Sequence, residues 1–279
     1  MISAEQLSEL KDTSLRMRYE LIKMMGFGKV HHFGGSLSVV EIMTALYFYK
    51  LRIRPDDPEW YERDRFVMSK GHSVPAQYVA LALKGIIPME SLKTLKSLGS
   101  ILQGHPNSWM TPGIEACTGS LGQGLSFGNG VALCAKIKKI DSRVYVVMGD
   151  GELHEGQIWE AAMTTTKQCL TNVVAIIDRN RLKAMDETAC GKSLDPLPDR
   201  WATFGWAVRE IDGHDLAAIC DALDWATEQD RPAAIVANTV KGKGVSIFEG
   251  QAKFHNAAVT EAQLQQALTE LKAAMAEEA

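Results

Sequence analysis

Two oxygen-bearing side chains thirty positions apart carry the clearest chemistry in this sequence. In VYVVMGDGELHEGQIWEAAMTTTKQCLTNVVAIIDRN, Val144 to Asn180, one apolar run ends in Gly149-Asp150-Gly151 and a second ends at Asn180. A helical stretch between them makes a right-handed strand–helix–strand unit. That unit sets Asp150 and Asn180 at the carboxyl ends of two parallel strands, the edge at which open α/β sheets bind ligands. Both side chains offer oxygen, and the backbone carbonyl of Leu182 can add a third donor. A hard divalent cation such as Mg²⁺ takes few protein oxygens and completes its octahedron with water and phosphate. Gly149 and Gly151 let the backbone come close to a diphosphate, and the helix N-terminus that follows favours anions. A Gly-Asp-Gly turn alone means little, because Asp and Gly populate any turn. With Asn180 at the far strand end, the pattern describes a metal-bridged diphosphate site on Asp150, Asn180 and the Leu182 carbonyl.

The elements that must position these groups alternate between strands and helices. Leu7, Leu10, Met17, Leu21 and Met25 recur at helical spacing, and Gly26 and Gly28 end that helix. Ser38-Val39-Val40-Glu41 reads as a capping box opening a second helix through Ile42, Met43 and Leu46. Arg65–Met68 predicts a short strand, residues 75–84 a helix, and 98–120 a turn-rich connection. From Gly122, GQGLSFGNGVALCAK predicts a helix whose small residues allow close packing, since glycine there otherwise costs about 1 kcal/mol against alanine. Further strands are expected at Val144–Met148, Val173–Ile177 and Ala234–Ala237, and a fourth over Trp206-Ala207-Val208 to Ile211. Helices are expected from Gly156 to about Gln168, near 216–228, and after a capping box at Thr260-Glu261-Ala262-Gln263. Continuous apolar strands alternating with helices predict a doubly wound, mainly parallel α/β sheet covered on both faces. No repeat or linker-like stretch divides residues 1–279, so a single domain is expected.

Composition excludes several classes. The 279 residues are 46% hydrophobic and 23% charged, ordinary for a soluble globular protein. Thirty Lys and Arg against 34 Asp and Glu leave a net charge of −4, without the basic excess nucleic acid requires. No apolar run approaches the roughly 20 residues of a membrane span, and the N-terminus MISAEQLSELKD has neither a signal core nor a transit pattern. Cys117, Cys134, Cys169, Cys190 and Cys220 are odd in number and contain no Cys-x-x-Cys pair. They read as reduced, buried thiols in a cytoplasmic protein.

The Gly-Asp-Gly…Asn arrangement resembles that of thiamine diphosphate enzymes, and further motifs narrow the resemblance to transketolases over nearly the whole chain. His32, in HHFGGSLS, falls where transketolases carry Gly-His-Pro-Gly, and DRFVMSKGH ends at a second matching histidine, His72. Gly104-His105-Pro106 and Thr118-Gly119-Ser120-Leu121-Gly122-Gln123-Gly124 match another pair of motifs. His255, after Lys241-Gly242-Lys243-Gly244-Val245, matches the last family histidine. The resemblance implies that His32, His72, His105 and His255 surround the reactive thiazolium carbon and the sugar hydroxyls, a role suited to a group that titrates near neutrality. It places His72, Gly119, Leu121, Asp150, Gly151, Glu155 and Asn180 in the cofactor site, with Glu155 a carboxylate near the subunit contact, and assigns the cation to Asp150, Asn180 and Leu182. The implied cofactors are thiamine diphosphate and Mg²⁺, or another divalent cation such as Ca²⁺. The implied reaction moves a two-carbon ketol unit from a ketose to an aldose, with sugars or sugar phosphates as substrates.

The family's catalytic glutamate lies in a pyrimidine-binding domain for which 279 residues leave no room. The expectation is therefore the N-terminal subunit of a split transketolase, working with a C-terminal partner subunit in an α₂β₂ assembly. The alternatives are the α subunit of a thiamine-dependent 2-oxo acid or acetoin dehydrogenase, and a non-catalytic cofactor-binding paralogue. The histidine set, TGSLGQG and GELHEGQIWEA favour transketolase.

Phe33 departs from the family pattern, standing where proline is usual, and His31 precedes the first histidine. His154 and His214 read as ordinary hydrogen-bonded residues. Gly124-Leu125-Ser126-Phe127-Gly128 has the form of a nucleophile elbow, but a glycine-rich loop precedes it instead of a strand. His154-Glu155 begins a zinc motif that fails at Ile158, and GSLGQG has the wrong glycine order for a dinucleotide fingerprint. Lys241 and Lys243 divide evenly between phosphate contact and solvation, and Trp159 and Met163 are expected in the core.

Overall fold

A computed structural model describes residues 2–182 and 194–277; Cys190 lies outside the described residues. The apolar spacing of the N-terminal segment produces helix α1, Ala4–Met25, stopped at Gly26, whose φ of 64° a side chain would strain. Helices α2 (Phe33–Leu37) and α3 (Val40–Ala45) follow. The expected Ser38–Glu41 capping box does not form. Ser38 donates its hydroxyl to Gly35 O and to Asp178, and Glu41 turns to Arg18 and His214. Tertiary partners outcompete the local cap because they are charged and buried.

Strand β1 (Arg65–Met68), helix α4 (Val74–Leu83), helix α5 (Gln123–Lys138) and strand β2 (Val144–Gly149) come next. Helix α6 (Gly156–Lys167), strand β3 (Val173–Arg179) and helix α7 (Leu197–Thr203) continue the chain. Strand β4 (Ala207–Asp212), helix α8 (Leu216–Thr227), strand β5 (Ala233–Asn238) and helix α9 (Glu261–Glu277) complete it. Helices α2 and α7 have no counterpart among the elements expected from the sequence. Their five and seven residues are too few to show a period. The capping box of α9 forms as expected, Thr260 and Gln263 each accepting from the other's backbone N–H.

The five strands pair in parallel in the order β1-β2-β3-β5-β4. Their alternating side chains feed two cores. Tyr145, Val147, Val174, Ile176 and Ile235 pack with α1, α3, α4 and α8. Val144, Val146, Met148, Ala175 and Val236 pack with α5, α6 and α7, around fully buried Trp201. Trp159 packs against that second core, whereas Met163, expected to be buried, is half exposed on the outer face of α6. The small-residue helix α5 packs as closely as its composition suggests. A Cβ on Gly128 would lie 2.8 Å from Val146 Cγ2, and one on Gly124 only 2.3 Å from Ser69 Oγ. Among the described residues no helix is long and apolar enough to cross a membrane.

Candidate functional site

All five strands run the same way, so their carboxyl ends open on one edge, and a cleft of about 380 Å³ lies there. Register pairs Gly149 with Asp178, which sets Asp150 and Asn180 side by side just beyond β2 and β3. The two turns are stitched together. Asp150 N–H donates to Asp178 O at 3.2 Å, and the Asp150 carboxylate accepts from Gly151 N–H at 2.8 Å and Arg181 N–H at 2.7 Å. Asn180 Oδ1 accepts from Leu182 N–H at 3.2 Å. Burial, reinforced by the Asp178 charge, pushes the Asp150 carboxyl above the usual range; a bound cation would offset both effects.

Asp178 holds this edge together from beneath. Completely buried, it accepts from Lys70, Ser38, Thr239 and Asn180, joining the ends of β1, β3 and β5 to the α2–α3 turn. Burial opposes its charge, yet Lys70 and the hydroxyl donors hold its pKa below the normal carboxylate value. Glu152 does comparable work alongside, accepting from Ser69 Oγ, Gly122 N–H and Gly149 N–H. It thereby ties the loop before α5 to the ends of β1 and β2.

Four histidines from four separate segments converge on the other end of the cleft. The His32 ring centroid lies 5.1 Å from His72, 5.5 Å from His255 and 6.4 Å from His105, and His72 lies 5.3 Å from His255. Burial pushes His32 and His255 down to about 4, helped by His255 and Lys96 for the first and by Lys241 and Lys70 for the second. Burial and Lys70 hold His72 well below its usual value; burial and Lys96 lower His105. All four imidazoles are neutral at pH 7. Lys241 Nζ donates to His255 Nδ1 at 2.9 Å, leaving the ring proton on Nε2.

The cleft is lined by His32, His72, His105, Gly119, Leu121, Asp150, Gly151, Asn180, Leu182 and His255, ten of the eleven residues singled out in the sequence. The structure does not bring Glu155 to this cleft. It is exposed at the start of α6, with its Cβ packed under Gly122. His154 bonds Gly151 O, and His214 faces Glu41; neither lines the cleft. The His31 ring lies nearly perpendicular to Phe33, with centroids 6.0 Å apart, and its ring nitrogens make no hydrogen bond among the described residues. Phe33 stacks on Phe248 at 4.9 Å, an aromatic contact that a proline could not supply.

Gly35, Lys70, Glu152 and Lys241 also line the cleft. Lys70 and Glu152 each sit two or three residues beyond a strand end, inside quoted motifs, and that position was the available signal. The two lysines of the 241–245 loop separate. Lys241 is buried, donates to Leu182 O at 2.9 Å and is brought down to about 8 by burial and Lys70. Lys243 is partly exposed and pairs with Glu249.

The donor set fits a hard cation carrying phosphate. Asp150, Asn180 and Leu182 supply only oxygen, Lys70 and Lys241 supply positive charge, and Gly149 and Gly151 leave room. Among the described residues no cluster of three His, Cys, Asp or Glu side chains is placed to hold a metal ion.

Residues 17–277 match the transketolase thiamine diphosphate binding domain. The chain is 45% identical over 269 residues to an apulose-4-phosphate transketolase subunit from Phocaeicola vulgatus, covering 95% of each chain. It is 43% identical to the 6-deoxy-6-sulfo-D-fructose transketolase subunit SqwG of a Clostridium species, covering 96% of this chain and 98% of that one. Among solved structures, transketolase from Campylobacter jejuni superposes over 97% of this chain with a TM-score of 0.87 at 30% identity. Transketolase from Pichia stipitis, in complex with sedoheptulose-7-phosphate, superposes over 98% with a TM-score of 0.85, also at 30% identity. This chain spans 43% and 44% of those two structures' length. By sequence and by fold, the chain belongs to the transketolase family.

Proposed function

We propose that this chain is the cofactor-binding subunit of a two-subunit transketolase, transferring a two-carbon ketol unit from a ketose phosphate to an aldose phosphate. The observation that carries the reading is the convergence of four neutral histidines on the cleft that also holds Asp150 and Asn180. Asp150, Asn180 and the Leu182 carbonyl would hold Mg²⁺ or a similar cation, with Lys241 beside the diphosphate and Gly119, Leu121 and Gly151 against the cofactor. Thiamine diphosphate, when bound, supplies the carbanion and electron sink that make a carbon–carbon bond beside a carbonyl cleavable. The histidines do the protein's share. Neutral imidazoles donate hydrogen bonds to a sugar carbonyl or accept protons from its hydroxyls, and the Lys241 contact leaves His255 Nε2–H as a donor.

Two of the relatives above are named as transketolase subunits of this chain's length, which supports a separate partner. Large apolar side chains stand exposed on two segments that contribute His32 and His105: Phe27 and Val30 on one, Leu98, Trp109 and Met110 on the other. A partner docking over the cleft would cover them. We take that partner to be a C-terminal, pyrimidine-binding subunit in an α₂β₂ complex. Of the described cysteines only Cys220 is buried as expected; Cys117, Cys134 and Cys169 are exposed at the surface, and as free thiols they fit a reducing, cytoplasmic setting.

The purified chain with thiamine diphosphate and Mg²⁺ should show almost no ketol transfer between sugar phosphates, and adding the partner subunit should restore it. Turnover of 2-oxo acids by the reconstituted pair, with none of sugar phosphates, would overturn the assignment. Full ketol transfer by the chain alone would overturn the two-subunit reading.

A further inference from the structure

Lys241 reaches the cleft from a loop, and what fixes that loop lies outside the cleft. Lys241 sits between β5 and the turn at 245–250, and its stem lies on Gly34, where a Cβ would come within 2.7 Å of Lys241 Cγ. On the far side of the loop, three charged or polar groups from distant parts of the chain meet. Arg18 of α1, Glu41 of α3 and His214 from the β4–α8 connection form a linked set in which Arg18 and Glu41 are buried.

The two ends of this set grip the backbone on either side of Lys241. His214 Nε2 accepts from Val240 N–H at 2.8 Å, one residue before it. Arg18 Nε donates to Lys243 O at 3.0 Å, two residues after it. Glu41 joins the grips, taking Arg18 on Oε1 and His214 Nδ1 on Oε2 at 3.1 Å. Because Nε2 accepts, the ring proton resides on Nδ1 and points at Glu41, so every bond in the chain has a donor and an acceptor. Burial would push the Glu41 carboxyl up, but Arg18 and His214 together bring it down to about 2. The loop lies tight on Arg18: a Cβ on Gly244, whose φ is +82°, would come within 2.6 Å of Arg18 Nε. None of the three side chains lines the cleft.

We infer that Arg18, Glu41 and His214 are positioning residues: a clamp, buried at Arg18 and Glu41, that fixes residues 240–243 and so holds Lys241 against the cofactor site and His255. The inference rests on the proposed function only where it assigns Lys241 to the cofactor.

Hydrogen exchange on the purified chain tests the clamp independently of any reaction. His214→Ala should speed exchange across 239–250 roughly tenfold or more, as expected for losing a backbone hydrogen bond that anchors the loop, with strands β2, β3 and β5 unchanged. His214→Gln, which can still accept from Val240 N–H, should recover most of that protection. Glu41→Gln, isosteric and less disruptive, should raise exchange in the same segment by a smaller factor and serves if the alanine variant does not fold. Unchanged protection over 239–250, or a loss spread evenly through the sheet, would overturn the clamp. In the complex with its partner subunit, His214→Ala should raise the thiamine diphosphate KM about tenfold, and His214→Gln should return it. Faster exchange with an unmoved KM would overturn the link from clamp to cofactor.

Discussion

At the scale of single residues, the site is defined by charge placed where burial makes it matter. Asp150 is the group on which the cation reading depends most, because it is the only carboxylate in the assigned donor set. Asp150→Ala should lower Mg²⁺-dependent cofactor affinity in the reconstituted complex by about a hundredfold or more; calorimetry showing unchanged affinity would remove the metal assignment. The histidines make a second, independent expectation. His32 and His255 are held at about 4, against 6.5 when unfolded, so folded chains bind fewer protons than unfolded ones between those values. Stability is therefore fully present above pH 6.5 and declines as pH falls towards 4. Their C2–H resonances should titrate well below pH 6, and a midpoint near 6.5 for both would show that the cleft does not desolvate them.

At the scale of elements, the glycines of α5 divide by what each one faces. A methyl group at Gly124 would strike Ser69 and its backbone, whereas one at Gly130 meets nothing within 4 Å. Gly124→Ala should lower the urea midpoint and disturb the Ser69–Glu152 contact beside the cleft. Gly130→Ala should raise stability by up to about 1 kcal/mol through helix propensity alone. The same direction of change at both positions would contradict the packing of α5 on β1 and β2. These helices and strands were legible because their patterns repeat: α1 shows its period over 22 residues, and β2 and the first five residues of β3, Val173–Ile177, are apolar runs. The misread capping box was a local pattern whose residues found better partners elsewhere. Ser38 and Glu41 have the right types and spacing for a cap, and only the arrival of Asp178, Arg18 and His214 redirected them.

At the scale of the whole molecule, Leu98 and Trp109, each more than nine-tenths exposed, flank His105 in the segment that brings it to the cleft. Trp109→Asp should weaken association with the partner subunit by tenfold or more, the cost expected for an aromatic anchor, while leaving the thermal midpoint of the isolated chain within a few degrees. Sedimentation with the partner present checks this, and unaltered association would move the interface to another face.

The sequence by itself determined the parallel sheet, the strand ends bearing Asp150 and Asn180, and the identities of the four histidines, because each was written in a contiguous motif or a repeated period. It could not divide Lys241 from Lys243, assign Lys70 and Glu152 to the cleft, or reveal what Ser38, Glu41 and His214 do. Those outcomes depend on which distant groups arrive beside a given side chain, up to 225 positions away for Arg18 and Lys243. Only the folded chain decides them, because burial turns a hydrogen bond or ion pair that water would nearly cancel into a constraint on a single arrangement.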